Sequence, residues 1–159
     1  MEREKKIKER IYSIFADLAN CLGYSDVYGR VIACLLIHNN PVSLSEVARE
    51  TNYSPSMVSL SIDFLESIGM VKKVKKPGDR KLYLQATGNL LDAVKKIIID
   101  KVEKKVNETF EEFSECREEL KKLKGEESKR LLKAINILEK EIRRMEKYIR
   151  ILSRVKLPQ

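Results

Sequence analysis

The sequence predicts a mainly helical chain with one small β-hairpin, ending in a long antiparallel pair of helices. Three observations lead there. Short amphipathic segments separated by capping residues occupy positions 7–68. A strand-like stretch from Met70 to Ala86 surrounds a single Pro77-Gly78. Beyond Thr87, apolar residues recur every three or four positions to near the end of the chain.

The elements follow in order. Ile7, Ile11, Ile14, Leu18 and Cys21 step by four and three along one helix face, and Gly23 ends that helix. A second helix starts near Asp26 with Val27, Val31, Cys34 and Leu35 inward, and "HNNPVS" breaks it. Ser43 stands three residues ahead of Glu46, a capping box that opens a short helix to about Glu50. Ser54 and Pro55 then give a second start signal, a hydroxyl at the cap and a ring where no amide hydrogen is needed. The third short helix runs to about Ile68, with Gly69 as its terminator. Its register buries Val58, Ile62 and Leu65 and turns Ser56, Ser59, Leu60 and Asp63 outward. "MVKKV" and "RKLYLQA" are the hairpin strands, and Lys76-Pro77-Gly78-Asp79 is a type II turn.

In the carboxy-terminal part, Ile99, Val102, Val106, Thr109, Phe113, Cys116, Leu120 and Leu123 form one heptad series. After Gly125, Leu131, Ile135, Leu138, Ile142, Met145, Ile149 and Leu152 form another. Two helices cannot bury both their own seam and leftover residues such as Phe110, Leu132 and Ile137. A second copy of the chain is the simplest partner. The expected interface is Ile7, Ile11 and Leu18 with Phe113, Leu131, Ile135, Leu138, Ile142, Met145, Ile149 and Leu152. The chain thus divides into an N-terminal helix at 1–23, a central domain at 24–87 and a helical-hairpin region for dimerisation at 88–159.

Composition narrows the function. With 159 residues, 43% of them hydrophobic, the chain can bury a core. Its net charge of +8 fits a polyanionic partner, although with 35% charged residues many lysines and glutamates simply solvate helix faces. "MEREKKIKER" has no apolar signal region, and the longest apolar run, Val31 to Ile37, is too short to span a bilayer, so a cytoplasmic location and no membrane partner are expected. Three cysteines without CxxC spacing indicate neither a disulfide framework nor a zinc knuckle. All three lie on apolar stripes, where they are expected to pack as small hydrophobes. His38 is the only histidine, too few for a metal cluster or a His-based triad, and is read as helping to end its helix. No phosphate loop or nucleophile–base arrangement is visible, so no catalytic residue, metal or cofactor is expected, and no enzymatic activity.

Helix, capped short helix, turn, helix and basic hairpin is the order of a winged helix-turn-helix. Such a unit suits double-stranded DNA, because a helix fits the major groove while a neighbouring hairpin reaches phosphates or the minor groove. The hairpin segment Lys72–Tyr83 holds six of the chain's 32 basic residues, whereas none lies between Glu50 and Val71. The reading helix therefore offers Ser54, Pro55, Ser56, Ser59 and Leu60, and Lys72, Lys73, Lys75, Lys76, Arg80 and Lys81 are left to neutralise the backbone. An architectural DNA-coating protein with weak base readout, and an adaptor binding proteins through its helical hairpin, are the alternative readings.

Val47 to Ala86 resembles the MarR superfamily of winged-helix regulators, in particular its GbsR-type branch. Val58, Ser59, Ser61, Leu65, Glu66, Gly69 and Val71 fall on that branch's "VSxSxxxLExxGxV" character, and Gly78, Arg80, Lys81 and Tyr83 on its "GxRKxY" wing. The resemblance implies a homodimeric transcriptional regulator, usually a repressor, with Arg80 entering the minor groove. Leu60 departs from it, standing where many MarR proteins carry a basic residue. The branch includes regulators responsive to choline-like ligands. Tyr12, Phe15, Tyr24, Tyr28 and Tyr53 supply aromatics for a cage, but read more simply as packing, and any small-molecule effector is left unspecified.

Overall fold

The computed structural model of the chain describes residues 2–156. Among them the order is α1 (Glu2–Cys21), α2 (Asp26–His38), β1 (Val42–Ser43), α3 (Leu44–Thr51), α4 (Pro55–Ser67), β2 (Val71–Val74), β3 (Tyr83–Ala86), α5 (Leu90–Lys122) and α6 (Glu126–Ser153). The chain forms two compact units, one ending at Ala93 and one beginning at Val94. The predicted fold class is the observed one: a mainly helical chain with a small antiparallel sheet, in strand order β1-β3-β2.

In the first unit the core gathers around α2. Val31, Cys34 and Leu35 of α2 meet Val47 of α3, Val58, Ile62 and Leu65 of α4 and Leu84 of β3, all at 1% exposure or less. Gly29 lets α1 lie directly on α2, since a Cβ there would fall 1.9 Å from the Phe15 carbonyl oxygen. The face of α1 turned to this core is Tyr12 and Ala16, flanked by Ile11 and Phe15. Of the predicted stripe, Ile11 is half-buried against this core, whereas Ile7, Ile14, Leu18 and Cys21 lie on the other face and are exposed within the chain. The spacing is that of a helix, but Tyr12 and Ala16 carry the packing because small Ala16 permits the close approach that Gly29 begins.

The caps fall where the sequence sets them. Ser43 Oγ accepts from the Glu46 amide at 3.3 Å, while the Glu46 carboxylate turns to Arg49. Helix α4 ends in a Schellman arrangement: Gly69 at φ 77° sends its amide to Glu66 O, and the Met70 amide reaches Leu65 O. β2 pairs with β3 from Val71↔Ala86 to Val74↔Tyr83. The strands are therefore shorter than predicted, and residues 75–82 form a longer wing loop.

In the second unit α5 and α6 run antiparallel. Lys95 donates to Val155 O at 2.6 Å, Arg150 pairs with Glu103 at 3.1 Å, Arg143 lies 4.2 Å from the Phe110 ring centroid and Arg117 pairs with Glu139 at 2.8 Å. The α6 series predicted as one seam divides in two. Ile135 is buried and Ile142 and Ile149 are half-buried, whereas Leu131, Leu138, Met145 and Leu152 are 44–50% exposed. Leu132, predicted as a leftover, is half-buried. On α5, Val106 is buried and Phe113 half-buried, but Cys116 and Leu123 are exposed. At that level Arg117, not Cys116, turns to α6, where Glu139 and Asn136 satisfy its guanidinium. No helix among the described residues is long and apolar enough to cross a membrane.

Candidate nucleic-acid interface

The start of α4 is built for presentation. Ser54, with extended backbone, accepts the Met57 amide at 3.2 Å through Oγ, and Pro55 occupies the first turn, so the helix begins sharply. Val58, Ile62 and Leu65 anchor the inner face, which leaves Ser54, Pro55, Ser56, Met57, Ser59 and Leu60 exposed, Leu60 at 74%. The predicted outward set is thus on one surface, with Met57 as an added apolar group. Ser61 points inward and donates to Val58 O at 2.7 Å, so it is a packing residue and not a reading one. At the back of α4, Phe64 stacks on Tyr24 at 4.7 Å between ring centroids and meets Tyr28 edge-on at 5.1 Å. These rings fill one another's faces and brace α4. Tyr12 belongs to the buried core cluster against which Tyr28 and Phe64 pack.

The wing divides its cations into two kinds. Lys73 Nζ lies 2.8 Å from both Asp63 and Glu66 of α4, and the hydrogen bonds to those carboxylates hold the ammonium up to about 12. It ties β2 to the reading helix and has no charge to spare. At the tip, the Asp79 amide donates to Lys76 O at 3.1 Å and Gly78 has φ 76°, the geometry of the predicted type II turn. Asp79 then accepts the Lys81 amide at 2.9 Å and the Tyr83 hydroxyl at 2.7 Å, interactions that lower its own carboxyl and raise the Tyr83 phenol. Lys76 Nζ lies 3.9 Å from the Tyr83 ring centroid. Lys72, Lys75, Arg80 and Lys81 are exposed, and among the described residues none of them has an ion-pair partner. Four unpaired cations thus border an exposed helix surface that has none.

Sequence reasoning missed a second cluster. Glu50 at the end of α3 accepts from the Tyr12 hydroxyl at 3.1 Å, meets His38 Nε2 at 3.0 Å and Cys34 Sγ at 3.7 Å, and is paired with Lys8. Burial alone would raise the Glu50 carboxyl. The hydrogen bonds from Lys8, His38 and Tyr12 outweigh that and bring it down to about 2. Burial pushes the Cys34 thiol up to about 11 and raises the Tyr12 phenol. His38 is the last residue of α2, but the helix is closed by Asn39 in the left-handed conformation, and the imidazole serves Glu50 instead. Cys34 alone of the three thiols is buried as expected; Cys21 and Cys116 are exposed.

No family model and no curated protein matches the chain. Among solved structures it is similar to one described as a transcriptional regulator, at 16% identity over 92% of this chain and 95% of that one, with a TM-score of 0.62. Looser likenesses include a mutant of S. aureus MepR bound to an oligodeoxyribonucleotide, at 16% identity over 91% and 96% of the two chains with a TM-score of 0.43. NadR in complex with 4-hydroxyphenylacetate matches at 20% identity over 86% and 87%, with a TM-score of 0.42. The fold of the chain is a winged helix-turn-helix followed by a long helical hairpin.

Proposed function

We propose that the chain is a homodimeric DNA-binding transcriptional regulator of MarR type, akin to the GbsR branch and acting as a repressor. The observation that carries this reading is the division of labour between α4 and the wing. A capped helix presents hydroxyls and two apolar tips without a cation, beside a rigid turn on which the Lys75, Arg80 and Lys81 side chains have no ion-pair partner among the described residues. Helix α4 reads base edges in the major groove, and the wing binds phosphate or the adjacent minor groove. The dimer forms through the exposed apolar faces of α1 and α6, with residues 24–87 as the DNA-binding part and the helices beyond them as the dimerisation region.

Binding to duplexes from the chain's own upstream region and to random duplexes, each at two salt concentrations, tests this. A regulator retains a large affinity ratio between the two at high salt. Arg80→Ala lowers affinity for every duplex and flattens the slope of log K against log salt by about one unit for each phosphate that is no longer neutralised. Equal affinity for all duplexes points to the architectural role, and absence of duplex binding to the adaptor role. Arg80→Ala with the parent's affinity and slope would mean that phosphate is held elsewhere.

A further inference from the structure

We propose that Cys34, His38 and Glu50 form a site for a zinc-class divalent metal ion in the first unit. Cys34 and His38 are four residues apart and so share one face of α2, and Glu50 comes from α3. Their ligand atoms all lie within 4.8 Å of one another. Tetrahedral zinc with its usual bond lengths places sulfur about 3.6 Å and imidazole nitrogen about 3.4 Å from a shared carboxylate oxygen. The observed separations from Glu50 Oε2 are 3.7 Å for Cys34 Sγ and 3.0 Å for His38 Nε2. Both separations from Glu50 are thus within a few tenths of an ångström of those distances, and the Cys34–His38 pair, within 4.8 Å, closes towards about 3.6 Å by side-chain movement as the ion enters.

The donor set selects the metal. One thiolate, one imidazole and one carboxylate suit zinc or cobalt and are poor for magnesium or calcium, which take oxygen ligands. Charge balances as well: thiolate and carboxylate together neutralise a divalent ion, which matters where Cys34 is fully buried. Without metal, the Lys8 ammonium performs that neutralisation for Glu50. Binding therefore displaces Lys8, releases the Cys34 thiol proton to solvent, and requires the Nε2 proton that His38 donates to Glu50 to leave that nitrogen, so that the ring ligates through the Nε2 lone pair with a proton on Nδ1. A cleft of about 410 Å³ bordered by Lys8, Tyr12 and Arg49 reaches the cluster at Glu50, so an ion would enter past that carboxylate. The ligands join α2 to α3, the two helices that precede the reading helix. The site is independent of whether the chain binds DNA.

The test titrates Co²⁺ into the full-length chain carrying Cys21→Ser and Cys116→Ser, which removes the exposed thiols, in the absence of DNA. The expected result is one Co²⁺ per chain, with a near-ultraviolet thiolate-to-cobalt charge-transfer band and visible bands of tetrahedral intensity, all erased by added Zn²⁺. Cys34→Ser should abolish the charge-transfer band, and His38→Gln and Glu50→Gln should each weaken binding at least tenfold. Lys8→Met should tighten it, because it removes the competing ammonium, an effect that a purely structural Lys8–Glu50 pair does not predict. If Cys34→Ser does not fold, His38→Gln decides, since that ring lies at the rim of the cluster. A chain that shows no charge-transfer band, or whose cobalt spectrum survives either Cys34→Ser or His38→Gln unchanged, overturns the site.

Discussion

In the unit ending at Ala93, side chains from α2, α3, α4 and β3 reach 1% exposure or less, whereas in the helical hairpin Val106 is the most buried apolar side chain, at 3%, and a whole second stripe of α6 stands half exposed. The reason is geometric. Around α2, α1 and the remaining helices and sheet close on several sides, so one helix can bury most of its circumference. Two antiparallel helices bury one stripe each and no more. What a unit satisfies internally is unavailable to a partner, and what it leaves open is where a partner must come. The rule applies to charges as well as to apolar groups, and each variant below challenges it.

The largest effect is expected at the open stripe. Leu138→Asp with Met145→Asp should convert a dimer to soluble monomers with their helices intact, because each apolar position buried at an interface is worth on the order of 2–5 kcal/mol. Sedimentation velocity reads the change, and circular dichroism verifies the helices. Ile135→Asp should behave differently and melt the hairpin, since that side chain is already inside it. A double variant that stays dimeric would show that the second stripe of α6 is merely exposed, and the contrast between the units would lose its meaning.

The next effect tests closure in the first unit. Glu50 is held at about 2, below its ordinary 4.5, so its ionised form favours the folded state. That stabilisation is fully present above about pH 5 and is lost as pH falls through 4.5 towards 2. Allowing for partial exposure, it is worth about 2 kcal/mol at neutral pH. Urea unfolding in a chelating buffer should therefore separate the parent from Glu50→Gln at pH 7 and close most of that gap near pH 2.5. A gap independent of pH would mean that shape, not charge, holds α3 to α1.

These contrasts also explain what could be read in the sequence. The caps at Ser43 and Ser54, the Gly69 terminator and the Pro77-Gly78 turn act through neighbours a few residues away, and they appear where expected. Side chains that meet across sequence were less legible. Ile7, Ile14 and Leu18 have helical spacing, but spacing alone cannot say whether the face meets its own unit or another chain, and here Tyr12 and Ala16 took the inner place. The α6 series has the same ambiguity, because a helix with apolar residues on two adjoining faces satisfies a heptad pattern for either. The Glu50 cluster draws on α1, α2 and α3, with Lys8 and Glu50 forty-two positions apart. The one visible signal was a cysteine and the only histidine spaced by four on a single helix, with the third member supplied by folding.

The smallest effect is expected at Lys73, and it separates charges closed within a unit from charges left open. Position alone puts Lys73 with the backbone-neutralising cations of the wing. Its contacts do not, since two carboxylates of α4 at 2.8 Å already hold it. A cation paired with protein acids displaces few phosphate counterions, so its removal should leave the salt slope of DNA binding within about half a unit of the parent, against about one unit for Arg80→Ala. Affinity should still fall modestly, because Asp63 and Glu66 would then face phosphate without compensation. Asp63→Asn added to Lys73→Ala should return part of that loss by removing one of the two repelling charges. Equal slopes for Lys73→Ala and Arg80→Ala would show that Lys73 leaves its carboxylates when DNA binds, and that ion pairs within the wing are no guide to which of its cations grip the backbone.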